Sequence, residues 1–553
     1  MLSPGRTCRF AGFAVLLMAL VYFGSSWPAY DRLASMQFDF GESHELESRD
    51  IGMDRLVNSS FDWAGLPRRW PVKKVTEMPR GRPRPQPRIQ PEGRESGAVY
   101  DDRLEAWRRE VKSAFVKGWK SYKKHAWMRD ELAPVSGTGK DTLGGWVASL
   151  IDNLDTLWIM NLKDEFIEVV EAVATIDWAN TTATGCNVFE TTIRHLGGLL
   201  AAYDLSGQQV LLIKATELGD MIHAAFDTPT NLPPFWLDFK KVKVGGLVGD
   251  THQPSASVGS LSMEFTRLSQ LTGDPKYYDA ITRVTALLTE SQSTTKIPGM
   301  WPTFLNTRDG IFNDGYNFTL GTLAGPLYEY LPKMHAMLGT SDPVYARLAK
   351  DSLSAITEHI VFRAMLPGRD DVLFSGNAQV LQSGVIIKEP EVRHASCFAG
   401  GMFGLAGRLF DRQEYVDIGA HLTWGCIHGY NSFSTGIAPE VFSMFPCPNS
   451  TLDICDWDEE MWQAKGNNSL QGGFREVSDP SYILRPEAIE SIFVLYRITG
   501  HRAYSDMAYK IFLNIQRATE TEYGNAAIDD VRVTGQTTKR DFIEVSHLLI
   551  CSS

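Results

Sequence analysis

From about Tyr100 onward, apolar residues recur at i, i+3, i+4 and i+7 in long segments broken by short turns, the period of amphipathic helices. The turns themselves repeat. LGGLLAAYDLSGQQVLLIKATELGDMI, LSMEFTRLSQLTGDPKYYDAITRVTALL and SIFVLYRITGHRAYSDMAYKIFLNI each read as a helix, a Ser-Gly or Thr-Gly stop, a few polar residues and a second helix. GMFGLAGRLFDRQEYVDIGAHLTWGC is a looser fourth copy. Such a pair cannot bury its apolar face alone, so pairs spaced along the chain must pack on one another. The pattern predicts a solenoid or a closed ring of helix pairs. Strand-like runs such as DVLFSG and GVIIKEP are few and short, which argues against a doubly wound α/β fold.

The N-terminal hundred residues lack this period. Phe10 to Tyr30 carries no charge and follows Arg6 and Arg9, about the ~20 positions a membrane-spanning helix needs. It predicts a type II signal anchor over residues 1–30 with the rest of the chain lumenal; a cleaved signal peptide is the alternative. Residues 31–98, ending in PRGRPRPQPRIQPEGRES, are too rich in Pro and Arg to form a core or a helix. They predict a solvated stem, leaving 99–553 as the folded domain.

Composition agrees with a large globular domain: 553 residues, 43% hydrophobic and 22% charged. A net charge of -12 argues against a nucleic-acid partner. Sequons at Asn58, Asn180, Asn317, Asn449 and Asn467 fit a secretory compartment. Among seven cysteines, Cys447 and Cys455 bracket one loop and Cys397 and Cys426 lie on successive helical segments, so two disulfides fit an oxidising compartment; Cys8, Cys186 and Cys551 remain.

Several chemistries fail on the sequence. PVSGTGKDT has Pro134 where a phosphate loop needs its first Gly, and Asp141 where it needs Ser or Thr. There is no HExxH pair and no GxSxG elbow. What stands out is a set of acids in apolar helix ends, where a carboxylate is costly unless paired or used: Asp155, Glu190, Glu264, Glu440, Glu487 and Glu490. At equivalent places in successive hairpins they would face the middle of a ring and form an acidic pit. Such a pit suits glycoside hydrolysis, which needs one protonated and one ionised carboxyl flanking the scissile bond. Arg194 and Arg485 stand close enough in sequence to Glu190 and Glu487 to hold carboxylates ionised or bind sugar hydroxyls.

KKHAWMRDELAPVSG, LIDNLDTLWIM, FETTIRHLGGLLAAYDLSG, HASCFAGGMFGL, TGIAPE and LRPEAIESIFVLYRITG together resemble the class I α-1,2-mannosidases, glycoside hydrolase family 47, from about Val111 to Asp541. The resemblance implies an all-α (αα)7 barrel, a Ca²⁺ ion at the base of the pit, and inverting removal of α-1,2-linked mannose from high-mannose N-glycans. By matching position it implies Glu190 as general acid acting through a water, Glu487 as base, and Glu440 and Glu490 as further pocket acids. Arg194 and Arg485 match its cationic positions, His394 a sugar-contacting one, and Cys397 with Cys426 its disulfide.

Two departures accompany the match. Where the family has Ala-Asp-Ser, this chain has Ala324-Gly325-Pro326, so Gly325 replaces a catalytic Asp. After TGQTTKRD the family continues through a further helix to a Thr that binds Ca²⁺, whereas FIEVSHLLICSS has no such Thr, leaving the barrel incomplete and the metal without its anchor. Leu323 matches the Golgi-type members. The expected protein is a monomeric Golgi or endoplasmic-reticulum membrane mannosidase; the alternatives are a mannose-glycan-binding relative that does not cut, or a mispredicted tail.

Overall fold

A computed structural model of the chain describes residues 51–80, 84–91, 98–339, 342–448 and 452–542. Its helices alternate between two roles. Gly325–Met337 buries every residue but Pro326, and Phe398–Leu409 every residue but Arg408. Arg502–Thr519 buries only a stripe, Tyr504, Ile511, Ile515, Ala518 and Thr519. The first kind forms an inner layer and the second covers it, as amphipathic helices must when one face meets water.

The hairpins follow the sequence pattern. Ser206, Thr272 and Thr499 end their helices, and Gly207, Gly273 and Gly500 follow with φ of 72°, 75° and 75°, a left-handed conformation that glycine adopts without a Cβ penalty. Among the described residues the outer helices are Ala98–His125, Lys163–Val173, Gln209–His223, Lys276–Ser291, Pro343–His359, Gln413–Asn431 and Arg502–Thr519. Ala98–His125 lies beside Arg502–Thr519, where Trp107 stacks on Tyr509 at 4.3 Å and Arg103 pairs with Asp506 at 2.9 Å. The last outer helix thus meets the first, and the outer layer closes on itself around six inner helices among the described residues. The tail beyond Phe542 lies outside the described residues.

Neighbouring inner helices approach closely at glycines. A Cβ on Gly198 would stand 2.8 Å from the Ile151 carbonyl oxygen, and Gly401 donates its N–H to Ser491 Oγ at 2.8 Å. Short strands lead into the N-terminal ends of these helices. Gly185–Asn187 pairs antiparallel with Trp236–Asp238 and runs into Val188–Glu190, while Gln253–Pro254 pairs with Phe304–Leu305 and runs into Ser255–Gly259. Glu391–Arg393, joined to Val441–Met444 and Phe474–Asp479 in one sheet, runs into His394–Cys397. The strand-like runs noted above are Leu373–Ser375 and Ile386–Glu389. One end of the ring therefore gathers the strands and the first turns of the inner helices, where the positive end of the helix dipole favours carboxylates.

The Pro- and Arg-rich segment is not a free spacer over its described part. Ile51, Trp63 and Ile89 are buried. Ile51 N–H donates to Gln208, Ser59 to Glu217, Arg69 and Trp70 to Asp227, Thr76 to Asp279, and Arg84 to the Gly339 carbonyl. These partners follow one another along successive hairpins, so the segment is a belt. Proline's missing N–H costs nothing in an extended chain whose other donors reach the barrel. The expected membrane span lies outside the described residues; among those described, no helix is long and apolar enough to cross a membrane.

Both expected disulfides form, Cys397–Cys426 and Cys447–Cys455, while Cys186 is free and buried; Cys8 and Cys551 lie outside the described residues. Cys397–Cys426 ties the start of one inner helix to its outer partner.

Candidate active site

Glu190 is positioned by its own helix start. Asn187 closes that start by accepting the Glu190 N–H at 3.0 Å. The helix then widens into a π-helical stretch, Thr191–Leu196, a distortion frequent at functional sites. Arg194, four residues on, donates from Nε to Glu190 Oε2 at 2.9 Å and reaches Asp152 Oδ2 at 3.4 Å through Nη1. Behind this trio Asp155 is 5% exposed, and burial, reinforced by the charge of Asp152, pushes its carboxyl up to about 7.

Glu487 opens the inner helix Glu487–Thr499. Arg485 Nη1 stands 3.6 Å from its Oε1, and His394 Nδ1 stands 3.8 Å from its Oε2. Burial would raise this carboxyl, but the facing His394 and the Arg485 charge outweigh it and hold Glu487 below the usual range, hence ionised. His394 is itself buried, with Nε2 2.8 Å from the Tyr430 hydroxyl. Arg485 also donates from Nε to Glu440 Oε2 at 2.6 Å. Glu440 is not at a helix end as the sequence suggested: it immediately precedes the strand Val441–Met444, where the sheet places it beside Arg485.

A third group bridges the two. Lys333 is 2% exposed and donates to Glu329 at 2.6 Å, with Glu490 Oε1 3.9 Å away. Burial, then the neighbouring Glu329 charge, raises the Glu490 carboxyl well above its ordinary value. Glu264, in the first turn of Ser262–Thr272, accepts from the Tyr330 hydroxyl at 2.8 Å, and burial pushes it up to about 7. A Cβ on Gly197 would stand 3.8 Å from Glu264 Oε1, which brings this group against the helix that carries Arg194.

The sequence-derived residues thus fall into two clusters, Glu190 with Arg194 and Glu440, Arg485 and Glu487 with His394. Glu490 joins the second through Lys333. Asp155, Glu264 and His394 are nearly sealed from solvent and brace the groups in front of them. Asp152, Glu329, Lys333 and Tyr430 were not found from sequence. Glu329 and Lys333, four apart in an apolar helix, carried the spacing of a helical ion pair that could have been read.

At Gly325 no carboxylate stands. A Cβ there would lie 2.6 Å from both the Leu320 carbonyl oxygen and Phe398 Cε1, so the Phe398 ring fills the space a side chain would need.

A ring of helix pairs with acids from several inner helices gathered at one end defines the helical-barrel class of glycoside hydrolases. The sequence profile described as glycosyl hydrolase family 47 matches residues 114–548, and the chain belongs to that family. A probable mannosyl-oligosaccharide α-1,2-mannosidase 1B of Neosartorya fischeri is 32% identical over 449 residues, covering 78% of this chain and 85% of the relative. The mannosyl-oligosaccharide α-1,2-mannosidase of Coccidioides posadasii is 32% identical over 465 residues, covering 81% and 83%. The solved α-1,2-mannosidase of Trichoderma reesei superposes with a TM-score of 0.72 at 29% identity, covering 80% of this chain and 91% of that one. The fold is accordingly of the (αα)7-barrel type expected from sequence, with seven outer and six inner helices among the described residues; the C-terminal incompleteness expected from sequence falls beyond Phe542, outside them.

The calcium that the family implies does not find a ready cage. Among the described residues no group of three or more His, Cys, Asp or Glu side chains is arranged to hold a metal ion. The acids nearest the site already face cations: Glu190 Arg194, Glu440 Arg485, and Glu329 Lys333.

Proposed function

We propose that this chain hydrolyses α-1,2-linked mannose from high-mannose N-glycans with inversion at the anomeric carbon. Glu487, ionised between Arg485 and His394, is placed to take a proton from a water as its oxygen bonds to the mannose C1. The C1–O glycosidic bond breaks, and the leaving oxygen receives its proton from Glu190 through a second water, so one water is consumed per mannose released. Inversion requires about 6.5–9.5 Å between the two carboxyls to admit the attacking water. The observation that carries this reading is the placement of Glu487 at the start of an inner helix, with Arg485 Nη1 3.6 Å and His394 Nδ1 3.8 Å from its two carboxylate oxygens, in a chain of the family-47 type. The test is incubation with Man9GlcNAc2, followed by mass spectrometry for hexose loss and NMR of the sugar first released. Release of β-mannose supports the reading; release of the α-anomer overturns it.

One observation favours a second reading. With Gly325 in place of the family's Asp and Phe398 in its space, the pit supplies one carboxylate fewer. In that reading the barrel holds the glycan without cutting it, and the same incubation gives saturable binding with unchanged mass.

The apolar N-terminal run and the sequons support a setting in the Golgi or endoplasmic reticulum, with the barrel lumenal and tethered by a single span; a tethered barrel whose outer layer meets itself favours a monomer. The family implies calcium, but the donor set above is no calcium cage, so no step of this mechanism passes through a metal.

A further inference from the structure

The rim beside Glu190 carries aromatic rings that the reaction does not use. Trp236 and Phe235 are 44% and 37% exposed, high values for large apolar side chains. Trp236 pairs across the ladder with Asn187, the residue that caps the helix start of Glu190. Its indole lies over the same strand: a Cβ on Gly185 would be 2.5 Å from Trp236 Nε1, so only glycine leaves room for the ring there. The neighbouring hairpin continues the feature. Phe235 N–H donates to Asp250 Oδ2 at 2.6 Å, and two residues beyond Asp250 the exposed His252 stacks on Phe304 at 3.9 Å with the rings 16° from parallel.

We infer that Trp236, Phe235 and the His252–Phe304 stack form a platform for neutral hexose units of the glycan lying beyond the mannose held in the pit. The inference rests on the function proposed above. Three features choose this occupant. The ridge is continuous with the Glu190 strand, so a chain leaving the pit on that side meets it. Flat aromatic faces match the apolar C–H face of a pyranose, and such rings bind with little loss of side-chain freedom. Asp250, half-buried and accepting the Phe235 N–H two residues before His252, adds a carboxylate to which sugar hydroxyls can donate.

The test measures binding of the full chain to two free sugars, α-1,2-mannobiose and Man9GlcNAc2, by calorimetry, for the unaltered protein, Trp236→Ala, Trp236→Phe and His252→Ala. Trp236→Ala is expected to weaken Man9GlcNAc2 about three- to twelvefold, the loss of one aromatic stacking contact, and to leave mannobiose affinity unchanged. Trp236→Phe should retain most of the affinity, and His252→Ala should act in the same direction as Trp236→Ala. Because both residues are exposed, unchanged thermal melting is expected for each variant. Equal loss of both sugars would mean that Trp236 only supports the Glu190 strand, and would overturn the platform. So would unchanged Man9GlcNAc2 affinity, or a loss seen only with a glycoprotein and not with the free glycan, which would mark a surface for polypeptide. Failure of the unaltered chain to bind either sugar would overturn the proposed function together with the platform, whereas the other outcomes strike the platform alone.

Discussion

Arg485 Nε donates to Glu440 Oε2 at 2.6 Å, and the other end of the same guanidinium reaches Glu487 at 3.6 Å. One cation therefore serves a strand acid and a helix acid, and fixes the relative placement of two elements far apart in sequence. Replacing Arg485 with Met leaves Glu440, whose side chain is 9% exposed, without its partner. The expected cost is about 3–5 kcal/mol, the usual penalty for breaking a buried pair from one side. Urea unfolding measures it. In parallel, the Glu487 carboxyl should titrate higher, moving the acidic limb of the pH profile for glycan turnover or binding upward; an unmoved limb would remove Arg485 from the account of Glu487.

Gly325→Asp alone is expected to give no gain in hexose release and to lower stability by roughly 1–3 kcal/mol, because the new side chain overpacks against Phe398 and the Leu320 carbonyl. Gly325→Asp with Phe398→Ala should recover part of that stability. Any mannosidase gain should appear only in the double variant, as read by mass spectrometry of Man9GlcNAc2. A fully stable, active single variant would show that Phe398 does not obstruct the position.

Glu264 gives a pH-dependent stability of defined sign. Its carboxyl rises from 4.5 to about 7 on folding because of burial. The folded chain holds that proton between those values and the unfolded chain does not, so stability falls as pH climbs from about 4.5 to about 7. The contribution is on the order of 3 kcal/mol. Glu264→Gln, which keeps an acceptor for the Tyr330 hydroxyl, should flatten the profile over that range. Chemical denaturation at a series of pH values tests this, and parallel profiles for the two proteins would refute it.

The two disulfides should differ in weight. Cys397 and Cys426 are 29 residues apart and Cys447 and Cys455 are 8 apart. Loop-closure entropy makes the longer one worth about 1 kcal/mol more, within typical values of about 2–4 kcal/mol. Paired Cys→Ser variants compared by urea unfolding give both terms. Loss of Cys397–Cys426 should also weaken glycan binding, since His394 lies three residues from Cys397.

Asp227 accepts the N–H groups of Arg69 and Trp70 at 3.0 and 2.8 Å, an anchor of the belt. Asp227→Ala should cost about 1–3 kcal/mol through the loss of two hydrogen bonds to a buried carboxylate. It should also speed limited proteolysis between residues 57 and 80. Unchanged cleavage would mean that the belt is held elsewhere.

The helical period and the Ser-Gly or Thr-Gly stops determined the hairpins by themselves, because a helix's amphipathic stripe and its glycine terminator are local properties of the chain. The acids at helix starts were legible for the same reason: Asp155, Glu190, Glu264, Glu487 and Glu490 all lie in first turns. The partners of those acids were not legible. That Arg485 faces Glu440 across 45 residues, that His394 backs Glu487, and that Phe398 occupies the room beside Gly325 depend on how distant hairpins register in the ring. The belt shows the same division. Its composition marked it as unable to fold alone, and only the assembled barrel, by offering Gln208, Asp227 and Asp279 as acceptors in sequence order, decides that it lies down. Local spacing sets each element, and the free energy of burying charges in pairs sets which distant elements meet.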